Sequence, residues 1–103
     1  MTSPPTRRNK SLGKALRELI PLASLADFNA VMEIATRGHL RYLPPTIIVW
    51  QALTTHIRHA HTDYDALLAD GYDQDSARHF VLEEMNSVLS QWGCPRRVEE
   101  DEV

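Results

Sequence analysis

The sequence predicts an all-α fold, a compact bundle of four or five helices whose last member, about 74–92, is the longest. Three observations carry this. Apolar residues recur at helical spacing in successive segments, capping and stop residues bracket those segments, and no stretch alternates with period two between hairpin turns. The chain of 103 residues, 43% hydrophobic and 24% charged, fits one small domain.

Residues 1–10 hold two prolines and mostly polar side chains, and read as a disordered basic arm. Ser11 then caps a helix over Leu12 to Ile20, striped by Leu12, Ala15, Leu16 and Leu19, with Pro21 as its stop. Ser24 followed by Asp27 resembles a capping box with Asp in place of Glu. Leu25, Phe28, Val31, Met32 and Ala35 continue that second helix, and Gly38 stands where it would end. The pair Pro44-Pro45 forbids helix before it and pre-sets φ for one starting near Thr46.

The third helix spans about Thr46 to Ala60. Val49, Trp50, Leu53, Ile57 and Ala60 share one arc, while Ile47 and Ile48 fall on other sides, so the helix is either packed on more than one side or contributes to an interface. Thr62 and Asp65 repeat the capping pattern before a short helix with Tyr64, Leu67 and Leu68, closed by Gly71. Asp73 caps the last helix, whose stripe is Ala77, Phe80, Val81, Met85, Val88, Leu89 and Trp92, and Gly93 and Pro95 end it. Residues 11–93 thus form the single helical domain, and 94–103 an acidic disordered tail. Tyr64, Leu67 and Leu68 are expected against Phe80, Val81 and the Trp50–Leu53–Ile57 stripe.

Several function classes drop out. The basic N-terminus has no apolar run behind it, so no secretory signal is expected, and Ile47 to Trp50 is far too short for a membrane span. Cys94 is the only cysteine, which excludes a disulfide framework and a cysteine-based zinc cage. A lone thiol without an export signal points to the cytoplasm. There is no Gly-x-Ser-x-Gly element and no phosphate-cradling glycine loop. No catalytic residue is assigned, no cofactor is implied, and a non-enzymatic binding or interaction module leads the functional reading. Its partner is unspecified: another protein or a second copy is favoured, through Ile47 and Ile48.

The distribution of charge says more than the net −3. Arg7, Arg8, Lys10, Lys14 and Arg17 fall in eleven residues without an acid. No carboxylate occurs between Glu33 and Asp63, where Arg37, Arg41 and Arg58 lie with His39, His56, His59 and His61. From Asp63 to Glu84 there are seven acids against Arg78 alone, and the tail runs Glu99-Glu100-Asp101-Glu102. These segments either face one another or leave a basic surface for an anionic partner. Nucleic acid is therefore the alternative partner, held by the eight arginines and lysines named above with Tyr42 free to stack on a base. The short helix, Gly71 turn and long helix imitate a helix-turn-helix, but the second helix opens with Asp73 and Asp75, which a phosphate backbone repels.

Two further groups carry possible chemistry. His56 and His59 are three apart on a helix and would share a metal ion; His61 joins them only if the chain bends at Ala60–Thr62. Glu84 falls inside the apolar arc of the last helix, where it would pair with Arg58, Arg41 or a histidine, or act as a base beside His56 or His59.

Finally, Thr62-Asp63-Tyr64-Asp65-Ala66-Leu67-Leu68, then Gly71, Asp75, Ala77-Arg78, Val81, Leu89 and Trp92-Gly93, resembles an uncharacterised family of small bacterial proteins, a domain of unknown function. The resemblance covers about residues 44–93. It implies a compact helical domain in a bacterial cytoplasm and brings no activity, cofactor or catalytic residue.

Overall fold

A computed structural model describes residues 7–37 and 40–102. Five α-helices follow one another: α1 Arg7–Leu19, α2 Leu25–Ala35, α3 Pro45–Ala60, α4 Tyr64–Ala69 and α5 Gln74–Gln91, with a short 3₁₀ turn at Glu100–Glu102. No strand occurs among the described residues, and the all-α fold class stands. No helix among them is long and apolar enough to cross a membrane.

The caps explain most of the boundaries. Ser24 Oγ accepts the Asp27 amide at 3.1 Å and donates its hydroxyl to Asp27 Oδ2 at 2.9 Å, a reciprocal pair at the start of α2. Pro45 occupies the first turn of α3, where a missing N–H costs nothing. Asp73 Oδ1 accepts the Ser76 amide at 2.7 Å and opens α5. Helices α4 and α5 both close on a positive-φ glycine, Gly71 and Gly93. At each, two hydrogen bonds turn the chain: Tyr72 N–H to Leu67 O with Gly71 N–H to Leu68 O, and Cys94 N–H to Leu89 O with Gly93 N–H to Ser90 O. Thr62 behaves differently from the expected N-cap. Its hydroxyl donates to the Arg58 carbonyl and accepts the Tyr64 amide, tying the end of α3 to the start of α4.

Helix α3 is the spine: α1, α2, α4 and α5 all pack on it. Ile48, Val49, Ala52, Leu53 and Ile57 are buried there against Leu12 and Leu16 of α1, Val31 of α2 and Val81, Met85 and Leu89 of α5. Such a core, stabilised at roughly 25 cal/mol per Å² of buried apolar surface, accounts for the order of the helices around α3.

Four expectations need correction. Helix α1 begins at Arg7, not after Ser11, so Arg7 to Lys10 are helical; residues 1–6 of the expected arm, and Gly38 with His39, lie outside the described residues. The residues after Gly93 stay on the fold. Val98 is buried, the Arg96 guanidinium lies 3.9 Å from the centre of the Trp50 ring, and His79 Nδ1 meets Glu100 Oε1 at 2.6 Å. Phe80 is 58% exposed and packs edge-on against Tyr72 instead of entering the core. Glu84 is exposed as well. Helix α5 buries the four-residue ladder Ala77, Val81, Met85, Leu89. At about 100° per residue the centre of that ladder turns away from Phe80 and Glu84.

Candidate functional site

Two surfaces combine chemistry with position. The first is the outer face of α1. Arg7, Lys10 and Lys14 are exposed there, and among the described residues none of them has a carboxylate within ion-pairing distance. Arg8 donates from Nη2 to the Leu43 carbonyl at 3.0 Å, which fastens the start of α1 beside the 41–43 turn. On that turn Tyr42 is 82% exposed. Arg41 donates to the Tyr42 hydroxyl at 2.7 Å and lies over its ring, 4.8 Å from the centroid. Arg8 thus joins the start of α1 to the turn on which Arg41 and Tyr42 pair.

Other members of the expected basic set are employed elsewhere. Arg17 donates to the Ala23 carbonyl at 3.1 Å and covers the Phe28 ring at 4.4 Å. Arg58 is only 8% exposed, stacked 5.7 Å above the Tyr64 ring, with its Nε lacking a hydrogen-bond partner. Burial first, and then the nearby Arg78, lower its pKa from the ordinary value, while Tyr64 works the other way. Arg58 therefore belongs to the interior and leaves the basic surface. Arg37 is exposed just beyond α2. The seven acids from Asp63 to Glu84 lie from the start of α4 through α5, and α4 packs on α5 and α3, whereas α1 packs on α2 and α3.

The expected isoleucine interface is halved. Ile47 is exposed at the edge of a recess of about 300 Å³ lined also by Trp50, Gln51, Thr54 and Arg96. Ile48 is fully buried because α3 is covered on more than one side.

The second surface is a cluster of histidines around a carboxylate. Asp27 comes from the first turn of α2, His56 from the last turns of α3, and His61 is the residue that caps α3. His56 Nε2 lies 2.8 Å and His61 Nε2 2.7 Å from the same oxygen, Asp27 Oδ1. Side-chain exposures of 20%, 12% and 34% for Asp27, His56 and His61 grade the cluster from protected to open. The Leu22 amide donates to the Trp92 carbonyl at 3.0 Å, and this bond brings the end of α5 beside the start of α2. Trp92 then stacks on His56 with ring centres 6.3 Å apart and meets His61 edge-on at 5.2 Å. Burial alone would raise the Asp27 pKa. The hydrogen bonds of His56, His61 and Ser24 outweigh it and hold the carboxyl at about 2.

The bend at Ala60–Thr62 is present, so His61 joins His56, and His59 does not. His59 Nδ1 instead meets Asp65 Oδ1 at 2.7 Å, with its ring edge-on to Tyr64. Asp27 carries no sign of this role in the sequence beyond its position as the acid of a capping box. Its partners are 29 and 34 residues away, and only the packing of α2 on α3 joins them. Cys94 follows α5; burial pushes its thiol up, away from the nucleophilic thiolate, while its backbone neighbour Arg96 pulls the other way.

Searches of curated proteins and of solved structures each found no match. A family model does match, over residues 15–93, and so takes in the last five residues of α1 as well as the 44–93 stretch that the sequence motifs delimit. The family is described as an uncharacterized conserved protein, DUF2293. With more than half of its length matched, the chain belongs to the DUF2293 family of uncharacterized conserved proteins.

Proposed function

We propose that this chain is a cytoplasmic, non-enzymatic binding module that takes single-stranded nucleic acid on the outer face of α1 and the 41–43 turn. The supporting observation is the Arg8 bond to the Leu43 carbonyl, which fastens the start of α1, with its exposed cations Arg7, Lys10 and Lys14, to the turn that carries Arg41 and the exposed Tyr42. Lysine and arginine on a helix face meet phosphates without reading sequence. An exposed tyrosine accepts any base as a stacking partner, worth about 1–3 kcal/mol per base. The helix-turn-helix outline of α4 and α5 is not used, since Asp73 and Asp75 front it. Burial of Ile48 removes half of the surface that self-association would use.

The test is fluorescence-anisotropy titration of the full-length chain with labelled single-stranded RNA and DNA oligomers. With three phosphate contacts, affinity falls by roughly an order of magnitude between about 50 and about 200 mM salt. Charge reversal in a Lys10→Glu, Lys14→Glu variant removes that salt dependence together with most of the binding. Tyr42→Ala weakens binding while keeping the salt slope. Absence of binding at low salt, or binding indifferent to the charge reversal, refutes the proposal.

A further inference from the structure

We propose that Asp27, His56 and His61 form a binding site for a divalent cation of the zinc type. Two imidazole nitrogens and one carboxylate oxygen are the donor set such a cation prefers, and three protein ligands leave a fourth position for water or an incoming group. The three ligand atoms lie within 4.8 Å of one another, and they form the one such group found among the described residues. They come from two helices, so the fold rather than local sequence brings them together.

The details around the three donors fit a metal. Both histidines present the same nitrogen, Nε2, to one point. Bonds of about 2.0–2.1 Å in tetrahedral geometry separate ligand atoms by about 3.3 Å. The histidine-to-carboxylate spacings of 2.8 and 2.7 Å therefore need to open by only about half an ångström. The second carboxylate oxygen accepts the Ser24 hydroxyl, the kind of outer partner that orients a ligating acid. Trp92 lies against both imidazoles and fixes their planes, while the more exposed His61 leaves a path from solvent. This inference stands apart from nucleic-acid binding, which uses α1 and the 41–43 turn.

The experiment is titration of the full-length, untagged chain, first stripped with a chelator, with Zn²⁺ alone and with Co²⁺ alone. The expected result is one equivalent bound per chain, a visible Co²⁺ absorption of four-coordinate intensity that Zn²⁺ abolishes, and a raised melting temperature. His61→Ala, at the most exposed of the three positions, and Asp27→Asn each weaken Zn²⁺ binding by at least about tenfold. His59→Ala leaves it unchanged. Circular dichroism confirms that each variant folds, and His61→Ala decides the matter if the inner variants do not. No stoichiometric uptake, uptake unchanged in His61→Ala, or uptake lost in His59→Ala would overturn the proposal and leave a hydrogen-bonded Asp–His triad only.

Discussion

Asn86 holds Val98 by both of its backbone groups: the Val98 amide donates to Asn86 Oδ1 at 2.8 Å, and Asn86 Nδ2 donates to the Val98 carbonyl at 3.2 Å. One side chain thus supplies the two bonds a β-ladder neighbour would, and docks a segment that has no secondary structure at that point. The buried Val98 side chain completes the clamp. Asn86→Ala leaves both backbone groups without a protein partner, at a cost of about 1–3 kcal/mol. Hydrogen exchange at the Val98 amide then speeds up before exchange in α5 does. Equal acceleration in both would show that the segment and the helix open together.

Helix α5 separates apolar residues that a stripe drawn by eye would group. Leu53→Ala empties a fully buried position on α3 and costs about 2–5 kcal/mol. Phe80→Ala removes an exposed ring whose ring contacts are with Tyr72 and His79, and costs about 1 kcal/mol or less. Urea denaturation midpoints of the two variants check the contrast. A Phe80 variant as unstable as the Leu53 variant would contradict the orientation of α5.

The two helix-ending glycines differ in what surrounds them. Both hold positive φ, +99° at Gly71 and +77° at Gly93, where an L side chain costs roughly 1–2 kcal/mol. A Cβ on Gly71 meets open space, but on Gly93 it comes within 3.2 Å of Pro21 Cγ and 3.3 Å of Leu22 Cγ. Gly93→Ala is therefore the more damaging change. It pushes on Leu22, whose amide ties the first turn to Trp92. Thermal melts of the paired alanine variants, with the lower midpoint expected for Gly93→Ala, measure the difference.

Capping chemistry and the proline pair read directly from sequence because each acts within four residues. Ser24 with Asp27, Pro44-Pro45, Gly71, Asp73 and Gly93 all stand at the helix ends they predict. The start of α1 did not read this way. Arg7 to Lys10 carry no apolar stripe of their own, and their helix is fastened from outside by the Arg8 bond to Leu43, 35 residues away. Long range also hid the candidate site. Local spacing pairs His56 with His59, yet α4 draws His59 to Asp65, and the turn at His61 returns the chain to Asp27. Arg58 looked like surface charge because burial of a guanidinium depends on an aromatic lid, Tyr64, supplied by the next helix.

The Asp27 carboxyl gives the pH dependence a definite sign. Its folded value of about 2 lies below the ordinary 3.8, because the contacts of His56, His61 and Ser24 overcome the opposing effect of burial. A depressed carboxylate contributes stability that is complete above its unfolded value and is lost as the pH falls through its folded one. The loss therefore runs from about pH 4 down to about pH 2 and is on the order of 2 kcal/mol. Asp27→Asn removes the titrating group and flattens this part of the curve, at the cost of lower stability at neutral pH. Denaturant midpoints measured from pH 5 to pH 2 for wild type and Asp27→Asn should converge toward the acid end. Curves that stay parallel would mean that the two histidines do not hold Asp27 in its charged form.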